Sequence, residues 1–202
     1  MIKVYNLPKD KNVKLFPNLY VKDLPCRKDK IIVDGGILSM LNEVRKHFKK
    51  KPVILRLNDP RYEYHSKGLA VDFTIHRISI YKIAKFLDDL HPNTMGIRVC
   101  AKNGSTGYIH YDLRKNKWRA LSIYGEPHVT LEEMFPTLEL GSNGQIVTVL
   151  KMCLNKLGYY ERDKFYYGKA TERHVVTFQK DNGIDITGVC DDETWNKILE
   201  LI

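Results

Sequence analysis

Two short segments constrain this chain more than any other feature: His65-Ser66-Lys67-Gly68-Leu69-Ala70-Val71-Asp72 and Gly107-Tyr108-Ile109-His110-Tyr111-Asp112. Together they offer two imidazoles and two carboxylates. His65, Asp72 and His110 form the donor set of a catalytic zinc site, which has three protein ligands and one open position for water. With bonds of ~2 Å, tetrahedral donor atoms lie about 3–3.5 Å apart. Within a single helix, His65 and Asp72 would sit two turns apart, roughly 10 Å. Within a single strand, their odd separation would point them to opposite faces. The chain must therefore turn between them, and Gly68 permits the turn.

After the turn, residues 70–75 alternate as a half-buried strand does, with Val71, Phe73 and Ile75 toward the core. Ala70 and Asp72 share the other face, where the small Ala70 leaves room for a metal. Residues 108–114 are strand-like in composition. Period two puts Tyr108, His110, Asp112 and Arg114 on one face, so a ligand histidine, an acid and a guanidinium line one cleft. The other histidines (His47, His76, His91, His128 and His174) read as ordinary surface or core residues. Of these, His76 is the best spare donor, but an even step along a strand carries it ~13 Å from Asp72.

The pattern H-x-x-G-x-A-x-D, followed by a strand with H-x-D, resembles the zinc D-alanyl-D-alanine carboxypeptidases that act on cell walls. That family belongs to a wider group with lysostaphin and the hedgehog signalling domain. The likeness runs over about residues 15–120 and includes the flanks Pro52-Val53-Ile54 and Asn116-Lys117-Trp118-Arg119. It implies Zn2+ held by His65, Asp72 and His110. Many members carry S-G-Y-R before the first motif, with the arginine on the scissile carbonyl or a substrate carboxylate. Here the stretch is Leu57-Asn58-Asp59-Pro60-Arg61-Tyr62, so Arg61 is the candidate and Arg56 the fallback. Some members carry an acid three residues before the last histidine, a position taken here by Gly107. Asp112 is then the nearest catalytic acid, with Glu63 behind it. A supporting role for Asp112, orienting His110 or Arg114, is equally open. Arg114 and Tyr108 are the candidate substrate-binding residues.

The C-terminal part carries a second pattern. Gly144, Val147, Leu150, Leu154 and Leu157 recur at helical spacing, and Gly158-Tyr159 ends the run. A second helix is expected over residues 168–182, closed by Gly183, and a third around Trp195, Ile198 and Leu199. Over residues 138–202 this skeleton resembles the three-helix peptidoglycan-binding repeat, with Phe178-Gln179 and Thr194-Trp195 as its most telling pairs. Lys164 departs from the usual glycine of that repeat. Phe178 and Trp195 read first as packing residues.

The expected fold class is α+β: a zinc peptidase domain with a small antiparallel sheet flanked by helices, then an all-α three-helix domain. Expected boundaries are 1–124, a linker over 125–137 punctuated by Pro127 and Pro136, and 138–202. Helices are expected at 36–48 and 79–90, and strands at 53–57, 69–75, 95–99 and 107–113. Charge is divided. Residues 1–130 hold 25 Lys+Arg and 12 Asp+Glu, a net +13, whereas residues 131–202 hold 8 and 12, a net −4. A basic domain is drawn to polyanions. No nucleic-acid motif accompanies the charge, and anionic wall polymers fit the two resemblances better.

The four cysteines (Cys26, Cys100, Cys153 and Cys190) show no C-x-x-C spacing and read as free thiols of a reducing compartment. No apolar leader opens the sequence and no stretch is suited to membrane insertion. The reading is of a protein made in the cytoplasm that acts at the bacterial wall, as phage endolysins do. Two function classes follow: a zinc peptidase acting on peptidoglycan stem peptides, as D,D-carboxypeptidase or L,D-endopeptidase, and a catalytically inactive peptidoglycan-binding protein that keeps the peptidase fold. The short segment around residues 58–64 implies an open groove and favours an endopeptidase. Oligomeric state has no signature in the sequence.

Overall fold

The computed structural model describes residues 1–25, 29–90, 92–101, 104–159 and 165–202. Cys26, His91 and Lys164 lie outside the described residues. Among the described residues, Cys100, Cys153 and Cys190 are free thiols, and no helix is long and apolar enough to cross a membrane.

The chain begins with β1 (Ile2–Asn6), β2 (Lys14–Phe16), β3 (Leu19–Tyr20) and β4 (Lys30–Asp34), followed by α1 (Gly35–Phe48) and β5 (Pro52–Arg56). A one-turn helix α2 (Glu63–Ser66) leads into β6 (Ala70–Ile75), α3 (Ile80–Asp89), β7 (Thr94–Val99) and β8 (Gly107–Asp112). Then come β9 (Trp118–Ser122), β10 (Val129–Leu131), α4 (Gln145–Lys156), α5 (Lys169–Asn182) and α6 (Asp192–Leu201). The fold is α+β, with a six-stranded sheet in the order β10-β9-β7-β8-β6-β5 and three C-terminal helices. Strands β1 and β4 pair separately as an antiparallel ribbon.

The elements with strong periodicity fall within a residue or two of expectation. Helix α1 buries Ile37, Leu41 and Val44, and Asp34 caps its start by accepting from the Gly36 amide at 2.7 Å. Helix α3 buries Ile80, Ile83, Ala84 and Leu87. The helix ends at Asp89, one residue short of the expected range, and Leu90 becomes its cap and is 52% exposed. The ribbon β1–β4 and the strands β2, β3, β9 and β10 have no counterpart among the expected elements.

Contacts divide the chain into two compact units, one of residues 1–98 and 107–119, the other of 99–106 and 120–202. The first is packed around Ile31, Val33, Ile37, Leu41, Val71, Phe73, Ile83 and Leu87, all essentially inaccessible. The second is packed around Val147, Leu150, Val175, Phe178, Trp195 and Ile198. Its signature pairs have a physical basis. Gln179 is fully buried and its amide nitrogen donates to Thr194 Oγ1 at 3.0 Å and to the Val189 carbonyl at 2.8 Å. Its carbonyl accepts from the amides of Thr187 and Gly188 at 3.0 and 2.9 Å. One glutamine thus ties α5 to the loop and helix that follow. Trp195 fills the centre, with its indole N–H donating to the Pro136 carbonyl at 2.9 Å and its ring meeting Phe135 edge-on. The stretch read as a linker therefore carries β10, the fully buried Met134 and two contacts to Trp195.

Candidate metal centre

The site is built across three adjacent strands. Register places Asp72 of β6 opposite Arg56 of β5 on one side and opposite His110 of β8 on the other. Directly opposed residues have Cβ atoms about 4.5–5.5 Å apart, and a register shift between Ile54 and Arg56 brings Arg56 opposite Asp72. The next rung pairs Ala70 with Asp112, and the small Ala70 leaves space on that face.

His65 comes from α2 by the turn that its spacing requires. Gly68 adopts φ +71°, and a Cβ there would lie 2.4 Å from the Ile32 carbonyl oxygen. The turn presses against β4, where the Asp34 amide donates to the Gly68 carbonyl at 2.9 Å. Asn58 clamps the same strand from the β5 side. Its side chain accepts from the Ile32 amide at 2.9 Å and donates to the Ile32 carbonyl at 2.6 Å. Neither β4 nor Asn58 carried a signal in the sequence, because each acts through backbone groups far along the chain.

The three expected ligands converge. His110 Nδ1 lies 2.8 Å and His65 Nε2 lies 3.3 Å from Asp72 Oδ1. One donor atom from each of the three lies within 4.8 Å of the others, and these residues could hold a metal ion. The 3.3 Å spacing lies in the range that ~2 Å bonds to one tetrahedral ion require, and the 2.8 Å spacing is that of a direct hydrogen bond. Two imidazoles and one carboxylate are donors that several first-row divalent ions accept. His65 and Asp72 are buried, and His110 is partly open. His65 Nδ1 is buried and has no hydrogen-bond partner among the described residues, which leaves Nε2 as the nitrogen that faces Asp72.

Around this trio sits a balanced set of charges. Arg56 Nη1 donates to Asp72 Oδ2 at 2.6 Å, leaving Oδ1 to the histidines. Asp112 Oδ2 lies 3.0 Å from His110 Nε2, on the ring edge away from Asp72. Both oxygens of Asp112 also accept from Arg114 Nε, at 3.0 and 2.9 Å. Burial works to raise the Asp112 carboxyl pKa, but hydrogen bonds with His110 and Arg114 outweigh it and hold the group at about 2. At Asp72, too, burial is outweighed by contacts with His110 and His65, and its pKa is lowered. Burial opposes protonation of His110, yet the carboxylates of Asp112 and Asp72 raise its pKa.

The remaining candidates separate into those that reach the trio and those that do not. Arg61 turns outward and pairs with Asp59 at 2.7 Å, so the arginine that touches a proposed ligand is Arg56. Tyr108 lies against Arg56, ring centre to guanidinium 5.9 Å. The guanidinium of Arg114 is stacked between the rings of Tyr64 and Trp118, at 5.0 and 4.5 Å, and Trp118 meets His110 edge-on. Glu63 is exposed and bound to Lys67 at 2.7 Å. At Gly107 a Cβ would fall 2.2 Å from the Arg98 carbonyl oxygen, so that position has no room for an acid. His76 is exposed.

Comparison with known proteins adds the second half of the picture. Residues 143–198 match the family described as "Putative peptidoglycan binding domain". The C-terminal helices carry a peptidoglycan-binding domain. A "Probable CtpA-like serine protease" of Staphylococcus aureus (strain COL) is 33% identical over 67 residues, 33% of this chain and 14% of that protein. Among solved structures, the Burkholderia AP3 phage endolysin is 32% identical, over 31% of this chain and 24% of its own, with a TM-score of 0.30. A peptidoglycan-binding protein from Clostridioides difficile is 20% identical, over 65% of this chain and 72% of its own, with a TM-score of 0.34. The chain thus spans well under a third of the staphylococcal protein and of the endolysin.

Proposed function

We propose that the chain is a zinc-dependent peptidase that hydrolyses peptide bonds in the stem peptides of peptidoglycan. The observation that carries the reading is the convergence of His65, Asp72 and His110 on one point, in a chain whose residues 143–198 match a peptidoglycan-binding family. When bound there, zinc lowers the pKa of water to ~7 and polarises a carbonyl oxygen.

The chain's own residues supply the rest. Asp72 is fixed by Arg56, which occupies one carboxylate oxygen and presents the other. Asp112 holds the far nitrogen of His110 and thereby selects its tautomer and ring orientation, as carboxylate partners of metal-bound histidines do. That geometry favours the orienting role for Asp112 over the catalytic one, since Arg114 already engages both its oxygens. Arg56, bound to Asp72 and with Tyr108 against its guanidinium, is the group next to the trio that would polarise a substrate carbonyl or steady its oxyanion.

The second reading, a protein that binds wall material without cleaving it, is favoured by one observation. Position 107 has no room for an acid, and the nearby Asp112 is tied to Arg114. Digestion of purified walls with and without a chelator separates the two. Release of new amino groups that stops on chelation and returns with zinc supports the peptidase. Wall binding with no release in either condition supports the binding protein.

A further inference from the structure

Beside the trio, Tyr64, Leu69 and residues 113–118 enclose an open groove of about 750 Å³. Its walls are aromatic, formed by Tyr64 and Trp118, which hold Arg114 between them. Its rim carries Lys115 and Lys117, both exposed. The charge on Arg114 is matched by Asp112, whose carboxylate takes the guanidinium edge. Lys115 and Lys117 have no ion-pair partner among the described residues, whereas nearby Lys67 is paired with Glu63. The surplus positive charge of the groove therefore comes from these two ammonium groups. Among the described residues, no carboxylate lines the groove to offset them.

The groove is also mechanically joined to the trio. Trp118 packs edge-on against the His110 ring, 5.6 Å between centres. Arg114 connects Trp118 to Asp112, and Asp112 connects to His110 Nε2. An occupant lying along Trp118 sits next to the ring that faces Asp72.

We infer that this groove is the subsite for a carboxylate-bearing part of the peptide substrate, and that Lys115 and Lys117 are the residues that read it. The inference rests on the peptidase reading for the identity of the substrate, but not for the existence of the subsite. An ammonium is a point charge with rotatable donors and accepts a carboxylate in many orientations, which suits a mobile acidic peptide. The aromatic walls offer apolar area to the backbone and small side chains beside that carboxylate. Short acidic peptides with α- and side-chain carboxylates meet both demands. A long phosphate polymer would need a basic track extending beyond the groove.

The test uses the full chain and two synthetic probes: a pentapeptide with one free α-carboxylate and one side-chain carboxylate, and the same peptide with both groups amidated. Affinity is read by titration calorimetry in chelator, so that no hydrolysis intervenes, and KM and kcat are read separately with zinc. The expected result is that the acid binds about 3- to 30-fold tighter than the amide, as two exposed ion pairs allow. Lys115→Glu/Lys117→Glu should abolish that preference, with Lys115→Gln/Lys117→Gln intermediate. Both side chains are exposed, and retention of the wild-type melting temperature verifies the fold. With zinc, the same variants should raise KM for the acid peptide and leave kcat within about two-fold, as loss of uniform binding does. Equal affinity for acid and amide in the wild type overturns the subsite. So does a preference that survives charge reversal, or binding of a short polyglycerol phosphate through the same lysines in place of the peptide. Preferential binding without hydrolysis would sink the peptidase reading and leave the subsite standing. Hydrolysis with no difference between the probes would do the reverse.

Discussion

His110 lies between two carboxylates: its Nδ1 faces Asp72 Oδ1 at 2.8 Å and its Nε2 faces Asp112 Oδ2 at 3.0 Å. One ring nitrogen is thus turned toward the proposed metal position and the other toward Asp112. Asp112→Asn keeps the size and removes the charge. Metal affinity is expected to fall by ~10–100-fold, with wall hydrolysis recovering in excess zinc. A loss on the order of 10²-fold at full metal occupancy would instead make Asp112 the general base. Metal titration and kinetics on one preparation decide between them.

The two arginines near the first motif should differ sharply. Arg56 reaches Asp72 at 2.6 Å, while Arg61 is bound to Asp59 at the surface. Arg56→Met leaves the buried Asp72 with one oxygen unpaired and should lower zinc affinity by about 10-fold or more. Arg61→Ala should leave zinc content unchanged. Metal analysis after dialysis against a weak chelator reads both.

Gly68→Ala tests the turn that delivers His65. The substitution meets a left-handed φ of +71° and a Cβ position 2.4 Å from the Ile32 oxygen. Strain of this kind costs about 1–3 kcal/mol. The variant should melt lower than wild type and, because the turn carries His65, also hold zinc less tightly. Unchanged stability and unchanged zinc affinity together would show that the turn does not depend on this glycine.

The boundary of the C-terminal domain can be tested by fragment length. Trp195 donates to Pro136 and touches Phe135, and Met134 is fully buried. Residues 134–202 should therefore fold alone and sediment with peptidoglycan. Residues 138–202 should be less stable by about 1–3 kcal/mol, because the buried indole N–H loses its acceptor. Equal melting temperatures would show that the preceding segment contributes nothing, and failure of both fragments to sediment would overturn the binding role.

Much of this protein is legible in its residues taken in order. The separation of seven between His65 and Asp72 demands a turn, and Gly68 marks where it falls. Period two along residues 108–114 puts His110 and Asp112 on one face. Helical spacing locates α1, α3 and the three C-terminal helices, because an amphipathic face of three or four turns repeats often enough to be read. All of these are local relationships, set by the rise and twist of a single element.

What only the tertiary structure decides is which elements become neighbours. Nothing local in Arg56 distinguishes it from Arg61. Strand register sets Arg56 opposite Asp72, and the turn after it carries Arg61 to the surface. Nothing local shows that β4 buttresses the His65 turn, that Asn58 clamps it, or that Gly107 is pressed against the Arg98 backbone. Nor does the sequence show that Asp112 meets Nε2 of His110 and that Arg114 captures both its oxygens. Pairing across strands is a long-range choice, made by the burial of whole faces and by backbone hydrogen bonds between distant residues, so it leaves no period in the sequence.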